Sequence, residues 1–318
     1  MNHPPVPAGP GTTDAQDTLI PPHRAIHHDN WVDIGLALTG YPPSTEIYQR
    51  LLDETQRLRR TGQADLFFFI HKPPGLRWRL QATDGTHPGE LRREAVTAAA
   101  RIVGRDRVHC AVYEPQQTLF GGARSMGYVH RTWSADSLLW MRRHAAADPR
   151  HRPAGERLVL SFRALAHVFV KLGVVGWEDR EVWNHVTEDT GRRLAEQEWA
   201  RPEVVALARA LRVRWNTVWA APHAPPGPDE ADRSPLLHTF VRTSGPTFEA
   251  WHAECLSRPA TLHPLTPRRA AAYWTVFHWN RAGLTAAQQA LTAQTLAGRP
   301  LDGRPLDATP LPQPESEL

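Results

Sequence analysis

Two short segments, Asp65-Leu-Phe-Phe-Phe-Ile-His71 and Leu76-Arg-Trp-Arg-Leu80, flank the turn Pro73-Pro74-Gly75. The first is an apolar run of strand length, and the turn residues end it. In the second, three apolar residues alternate with Arg77 and Arg79. Because successive side chains of a strand point to opposite faces, both guanidinium groups are predicted on one face of a sheet. The turn is too short for a crossover between parallel strands, so an antiparallel pair is predicted.

Three interpretations of this arginine pair are open. Two guanidinium groups that point the same way suit one carboxylate or an array of peptide carbonyl groups, since each presents a fork of donors. The alternatives are a solvated outer strand face and a structural ion pair. The alternation itself does not distinguish a binding site from either of these.

The remaining elements predict an α+β fold. Trp31–Leu38 alternates as a first strand, Ser44 has the position of a helix N-cap, residues 89–103 have helical composition, and Val108 begins another strand. The order is strand, helix, strand, turn, strand, helix, strand. It predicts a small mixed sheet with packed helices. Additional helices are expected in residues 156–220.

Two helices are predicted closer to the C-terminus. Thr266-Pro267 has the pattern of an N-cap followed by proline at the first helical position, and Thr285 with Gln288 has the spacing of a capping box. A further helix is expected to begin at Ser134 or Asp136.

Three regions follow from composition. Residues 1–30 are rich in proline, glycine, threonine and histidine and are predicted to be a flexible arm. Residues 31–297 are predicted to form a single domain. Residues 298–318 are predicted to be a disordered tail.

Composition also limits the class of protein. Hydrophobic residues make up 41% of the chain, which is sufficient for a sizeable core. No apolar stretch reaches the roughly 20 residues that a membrane span requires, and no signal pattern begins the chain, so a cytoplasmic protein without membrane contact is expected. The cysteines Cys110 and Cys255 lie far apart in unrelated patterns. They support neither a disulfide framework nor a cysteine zinc site.

The formal charge of +4 comes with a strong preference for arginine, since Lys72 and Lys171 are the only lysines among 37 basic residues. A bias of this kind is typical of a GC-rich genome. The basic balance also suits an acidic partner. Nucleic acid is not expected, because the sequence contains neither a concentrated basic run nor a recognisable reading motif.

The order of several motifs resembles the C-terminal domain family of lantibiotic dehydratases. That family has an aromatic strand, a strand with paired arginines, a Tyr-Glu-Pro element that runs into Gly-Gly, an Ala-Asp-Ser, and a late Asn-Arg. The similarity extends over about residues 31–296. The corresponding residues are Phe67–His71, Arg77, Arg79, Tyr113-Glu-Pro115, Gly121-Gly122, Ala135-Asp-Ser137 and Asn280-Arg281.

Two departures from the family pattern indicate a branch. The branch that eliminates glutamate from glutamylated serine or threonine has an arginine before aromatic-Gly-Gly and a histidine four residues before the late asparagine. This chain has Leu119 and Val276 at those places. Instead, Phe277-His-Trp-Asn-Arg-Ala-Gly-Leu284 is similar to the stand-alone pyridine synthases of thiopeptide biosynthesis.

The resemblance implies a defined reaction. Two dehydroalanines of a thiazole-bearing precursor peptide undergo a formal aza-[4+2] cycloaddition, and loss of water and of the leader peptide as a carboxamide gives the pyridine. No redox cofactor and no metal is required. The implied partner is a modified precursor peptide with its leader segment, and contact with other biosynthetic enzymes is compatible with such a role. Most of the catalysis is positioning, with proton transfer as the remainder.

The residues that carry this chemistry are predicted as two groups. The sequence offers tyrosine and histidine for proton transfer, and arginine, asparagine and aromatic side chains for binding a peptide with flat heterocycles. The catalytic candidates are Tyr128, His130, Tyr273 and His278. The substrate-binding candidates are Arg77, Arg79, Tyr113, Glu114, Trp133, Asn280 and Arg281.

Two other functions are weighed against cyclisation. A glutamate-eliminating lyase of the same fold would form dehydroalanine, and Leu119 and Val276 argue against it. A non-catalytic module that binds a leader peptide would retain affinity for the peptide and turn nothing over.

Overall fold

The computed structural model describes residues 30–40, 42–72, 75–146, 154–221, 235–257 and 265–298. The predicted N-terminal arm lies outside these ranges except for Asn30. Likewise, only Gly298 of the predicted C-terminal tail lies inside them.

A four-stranded sheet has the strand order β2-β3-β1-β4. The strands are β1 (Trp31–Ala37), β2 (Ala64–Lys72), β3 (Gly75–Ala82) and β4 (Val108–Ala111). Each neighbouring pair is antiparallel. The α+β class is therefore confirmed, whereas the predicted mixed sheet is wrong in that detail.

The connections explain why no two neighbouring strands of the described sheet are parallel. Helix α1 (Thr45–Arg60) joins β1 to β2, and α2 (Pro88–Val103) joins β3 to β4. In each case the two joined strands run in the same direction, but a third strand lies between them. This is the β-α-β-β-α-β arrangement of the ferredoxin-like folds.

One face of the sheet packs on the two connecting helices. Trp78 is fully buried there, and its Nε1 donates a hydrogen bond to Thr55 Oγ1 of α1 at 3.0 Å. Phe67 and Phe69 are also buried completely. The opposite face, which bears Arg77 and Arg79, is called the arginine face below.

Helices form most of the rest of the described chain, and several predicted caps are present. Thr266 accepts a hydrogen bond from the backbone N–H of Arg269, and Thr285 with Gln288 forms the predicted capping box. The helices are α3 (Ala123–Ala146), α4 (Ala154–Lys171), α5 (Asp179–Asp189), α6 (Glu196–Trp199), α7 (Pro202–Ala220), α8 (Pro235–Trp251), α9 (Pro267–Ala282) and α10 (Ala286–Leu296).

The predicted start of α3 is wrong. The helix begins at Ala123, so Ser134 lies in its middle and caps no helix end. Its hydroxyl accepts a hydrogen bond from Phe67 N and donates one to Phe67 O, and Ser137 accepts one from Phe69 N. These serines satisfy the backbone of the edge strand β2, which would otherwise present unpaired groups.

Of the described residues, no helix is long and apolar enough to cross a membrane.

Candidate active site

The arginine face carries an ion-pair cluster that joins two strands. In the β1–β3 register, Asp33 lies opposite Arg79 and Gly35 opposite Arg77. The Asp33 carboxylate is buried. Its Oδ2 accepts a hydrogen bond from Arg79 Nε at 2.9 Å, and its Oδ1 lies 3.7 Å from Arg77 Nη1. The predicted common face of the two arginines is thus confirmed, and a shared carboxylate holds them.

Aromatic rings form the wall beside Arg79. Its guanidinium carbon lies 5.2 Å from the ring centre of Phe68 and 5.0 Å from that of Tyr113, distances at which cation–π attraction operates. The ring of Trp31 packs on Tyr113 at 5.1 Å. The Arg77 side chain is 24% exposed and the Arg79 side chain is 13% exposed. A ligand can therefore reach both guanidinium groups.

Tyr113 and His130 form a hydrogen-bonded pair at the same place. The Tyr113 hydroxyl lies 2.6 Å from His130 Nε2, and both residues are buried. Burial raises the pKa of Tyr113, whereas the Arg79 charge lowers it and the Asp33 charge raises it. The phenol therefore stays protonated at neutral pH.

A second cluster is sealed inside the protein between α3, α4 and α9. Asp136 Oδ2 accepts a hydrogen bond from Arg281 Nε at 2.5 Å, and Asp136 Oδ1 lies 2.8 Å from His278 Nδ1. The Asp136, His278 and Arg281 side chains have no exposed surface. Burial opposes ionisation of Asp136, but the charges and hydrogen bonds of His278 and Arg281 bring its pKa below the usual value.

The buried cluster has the connectivity of a serine hydrolase triad. Ser161 Oγ lies 3.0 Å from His278 Nε2, while Asp136 lies at the other ring nitrogen. Since Ser161 is also buried completely, a peptide has no contact with its hydroxyl in this conformation. These contacts give Ser161, His278 and Asp136 the hydrogen-bond partners that buried polar groups need.

Asn280 and Arg281 also hold the C-terminal end of α9. Their carbonyl oxygens lie 2.5 Å from His71 Nδ1 and 2.9 Å from His144 Nε2, respectively. The side-chain oxygen of Asn280 accepts a hydrogen bond from Gln289 at 3.1 Å. Unsatisfied carbonyls at a helix end need such donors. Among the side-chain contacts, Gln289 holds Asn280, and Asp136 holds Arg281 in the sealed cluster.

The other two tyrosine candidates lie in separate contacts. Tyr128 interacts with Glu254, and burial together with this hydrogen bond raises its pKa. Glu254 also accepts from Arg124 at 2.5 Å. Tyr273 donates to Asp189 at 3.3 Å, and burial raises the pKa of this phenol as well.

Trp133 is buried between the two clusters. Its ring lies 6.0 Å from the ring of His130, and the guanidinium carbon of Arg281 lies 5.5 Å from its centre. It also packs on Phe277 at 4.4 Å. Glu114 is exposed at the end of the Tyr-Glu-Pro element.

The structure therefore brings Arg77, Arg79, Tyr113 and His130 into one cluster, with Trp133 behind it. The remaining candidates lie elsewhere: His278 and Arg281 in the sealed cluster, and Glu114, Tyr128, Tyr273 and Asn280 in other surroundings.

Asp33 is the residue that sequence reasoning missed. The sequence feature that could have identified Asp33 is its position in Trp31-Val-Asp-Ile-Gly35, where an acidic residue interrupts an apolar strand. Because no pairing register can be read from the sequence, nothing connected it with Arg79. Within the described ranges, no group of three or more histidine, cysteine, aspartate or glutamate residues could hold a metal ion.

Comparison with known proteins identifies the family of the chain. The profile described as the lantibiotic biosynthesis dehydratase C-terminal domain matches residues 38–299. This match spans most of the chain, so the protein belongs to that family. No match was found among curated proteins.

Two solved structures share the fold. One is the tRNA-dependent lantibiotic dehydratase MibB from Microbispora sp. 107891, with a TM-score of 0.55 and 18% identity over 85% of this chain. The chain spans only 28% of the length of MibB. The other is TsrL, with a TM-score of 0.55 and 16% identity, over 84% of this chain and 93% of TsrL. At these identities the likeness concerns the fold alone.

Proposed function

We propose that this protein closes the pyridine ring of a thiopeptide by a formal aza-[4+2] cycloaddition. Membership in a family of lantibiotic biosynthesis supports the modification of a ribosomally made peptide. The observation that carries the finer proposal is the cluster on the arginine face. Two partly exposed guanidinium groups lie there beside an aromatic wall and a protonated phenol.

The proposed reaction joins two dehydroalanines of one azole-bearing peptide. The amide of one dehydroalanine reacts as its iminol tautomer, a 2-azadiene, and the alkene of the other is the dienophile. Two new carbon–carbon bonds close the ring. Loss of water and then of the leader peptide as a carboxamide gives the aromatic pyridine. No electron acceptor is required by this balance.

The cluster suits the first of these steps. Arg77 and Arg79 donate hydrogen bonds to the amide oxygen, which favours the iminol form as negative charge develops on that oxygen. Tyr113 with His130 supplies or receives a proton at the same place. The rings of Phe68 and Trp31 shape the apolar wall and reinforce the position of Tyr113.

The other predicted residues have proposed roles in proton transfer or peptide binding, and substitution of each residue tests its role. In this proposal, Tyr128 and Tyr273 transfer protons at later steps and His278 acts from within the protein. Glu114, Trp133, Asn280 and Arg281 support peptide binding. The domain over residues 31–297 acts as one catalytic unit on the modified precursor peptide with its leader.

Mass spectrometry tests the proposal directly. The purified protein is incubated with a leader-bearing peptide that contains thiazoles and two dehydroalanines. The expected product is lighter by water and the leader carboxamide. Arg77→Ala and His278→Ala are expected to lower turnover at least tenfold while the fold is retained. Unchanged rates in both variants would contradict this site assignment.

Other outcomes identify other functions. If the peptide binds without a change in mass, the protein is a delivery module. A glutamylated peptide that loses glutamate would identify an eliminating lyase instead. Leu119 and Val276, both packed in the core, offer no charged or titratable group for that elimination.

A further inference from the structure

We infer that Asp33 is a positioning residue that orients Arg79 and Arg77 toward the substrate. This inference rests on the proposed function. It concerns a carboxylate that lies under the proposed oxygen-binding groups and takes no direct part in the reaction. Three independent features of the arginine face support it.

The first feature is the way in which Asp33 holds Arg79. The bond of 2.9 Å joins Asp33 Oδ2 to Arg79 Nε, which is the inner nitrogen of the guanidinium fork. Among the described residues, no other acidic side chain pairs with Arg79. The two terminal nitrogens therefore remain available to a ligand, in an orientation that the Nε bond fixes. Since the guanidinium is planar, fixing one edge sets the direction of the other.

The second feature is the looser hold on Arg77. Its Nη1 lies 3.7 Å from Asp33 Oδ1, beyond hydrogen-bond distance, and this oxygen is buried without a hydrogen-bond partner in the described part of the chain. A buried acceptor without a partner is costly, so it attracts the nearest donor. Arg77 is that donor. Its larger exposed surface leaves it free to move between Asp33 and a bound peptide.

The third feature is Gly35, which makes room for Arg77 on the sheet. A Cβ atom at Gly35 would lie 3.3 Å from Arg77 Nη1 and 3.6 Å from His109 Cβ. The arginine side chain therefore passes across β1 directly over the glycine. A Cβ atom at this position would therefore require the end of the Arg77 side chain to shift by a few tenths of an ångström.

The charge balance also fits a neutral ligand. Two guanidinium groups and one carboxylate leave a net charge of +1 at the cluster, with aromatic rings on one side. This charge suits the oxygen of an amide that becomes partly negative during the reaction.

A double-mutant cycle tests the inference. Turnover of the azole-bearing bis-dehydroalanine peptide is measured for wild type, Asp33→Asn, Arg79→Lys and the double variant. Asp33→Asn is expected to lower kcat at least tenfold with less than a threefold change in KM. Lysine lacks the Nε–H that Asp33 binds. The double variant should therefore lie within threefold of Arg79→Lys, because the two residues act through one group. Effects that multiply would overturn the inference.

The control is Asp65→Asn, which removes an exposed carboxylate at the start of β2 and should retain the wild-type kcat. Circular dichroism and urea unfolding check that each variant folds. A fall in kcat that only follows a loss of folded protein would assign Asp33 a structural role and overturn the inference.

A chemical readout separates this inference from the proposed reaction. Phenylglyoxal modifies accessible arginines, and peptide mapping gives the rate at Arg79 without any substrate. Asp33→Asn should increase that rate severalfold, because the carboxylate no longer fixes the guanidinium group. If wild type forms no pyridine but this rate increases, the proposed reaction fails and the positioning role stands. An unchanged rate at Arg79 would overturn the positioning role even if the wild type is active.

Discussion

Replacement of Asp136 by asparagine is expected to destabilise the protein by about 3 to 5 kcal/mol, the cost of leaving one member of a buried ion pair without its partner. Both Asp136 and Arg281 have fully buried side chains, so water cannot replace the lost charge. Arg281 also has no second hydrogen-bond acceptor for its Nη atoms among the described residues. Its Nη1 and Nη2 atoms are buried without a hydrogen-bond partner in the described residues. The variant therefore leaves a guanidinium charge between the rings of Trp133 and Trp274.

Urea unfolding followed by tryptophan fluorescence measures this effect. With a slope of about 3 kcal/mol per molar urea, the upper part of the usual range, the midpoint should fall by roughly 1 to 1.7 M. Asp65→Asn is the matched control and should stay within about 0.5 kcal/mol of wild type, since it alters an exposed carboxylate. A loss below about 1 kcal/mol in Asp136→Asn would refute the argument that the pair is sealed from water.

A second variant tests whether charge or shape is responsible. Asp136→Leu combined with Arg281→Met removes both charges and keeps an apolar interior. Replacement of a buried pair by packed apolar residues is often neutral or stabilising, so the double variant should be more stable than Asp136→Asn. A double variant that is as unstable as the single one would show that hydrogen bonding to His278, rather than the unpaired charge, dominates.

Three further predictions concern stability. Burial lowers the pKa of His71 to about 4, so below about pH 6.5 the unfolded chain takes up a proton that the native state does not. The free energy of unfolding should therefore be at its full value above pH 6.5 and fall by up to about 3 kcal/mol toward pH 4. The urea midpoint of His71→Asn should lack this pH dependence. Ser134→Ala should cost about 1 to 3 kcal/mol in urea unfolding, because the buried backbone of Phe67 loses its partner; a loss within error would contradict the edge-capping role. Thr285→Ala should lower stability by about 1 kcal/mol through the capping box with Gln288, and a Tm equal to wild type would argue that the cap is dispensable.

Local patterns predicted most of the sheet. The alternation around Arg77 and Arg79 identified β3 and the face on which both arginines lie, and the proline-containing turn identified the antiparallel pair. Neither pattern contains information about pairing between distant segments. The partnership of Asp33 with Arg79 depends on a register between residues 46 positions apart, so it became visible only in the folded chain.

The sequence also did not reveal how deeply each side chain is buried in the protein. Trp274, His278 and Arg281 follow one another at helical spacing on one side of α9, and all three are buried. The spacing shows which side of the helix a residue faces, but not how deeply that side is buried. A histidine that faces a solvent-filled cleft and one that faces a sealed ion pair have the same pattern, and so His278 was predicted as a catalytic candidate.

The wrong start of α3 has a related cause. Serine and aspartate favour helix N-caps because their side chains compete for backbone donors. In Ser134 and Asp136 those side chains instead meet partners from β2 and α9, which are distant in sequence. The tertiary partners satisfy these groups, and the helix continues through them. A polar group in a long helix is therefore a signal for a packed neighbour as much as for a helix end.

The position of these residues on α3 connects the sealed cluster with the arginine face. His130, Trp133 and Asp136 follow one another at intervals of three residues, so they lie along adjoining parts of one helix surface. Asp136 is fixed to α9 by the ion pair, and Ser134 and Ser137 fix the helix to β2. The position of His130 against Tyr113 thus depends on contacts made one to two helical turns away. A weakened ion pair should therefore loosen the Tyr113–His130 hydrogen bond before the protein unfolds.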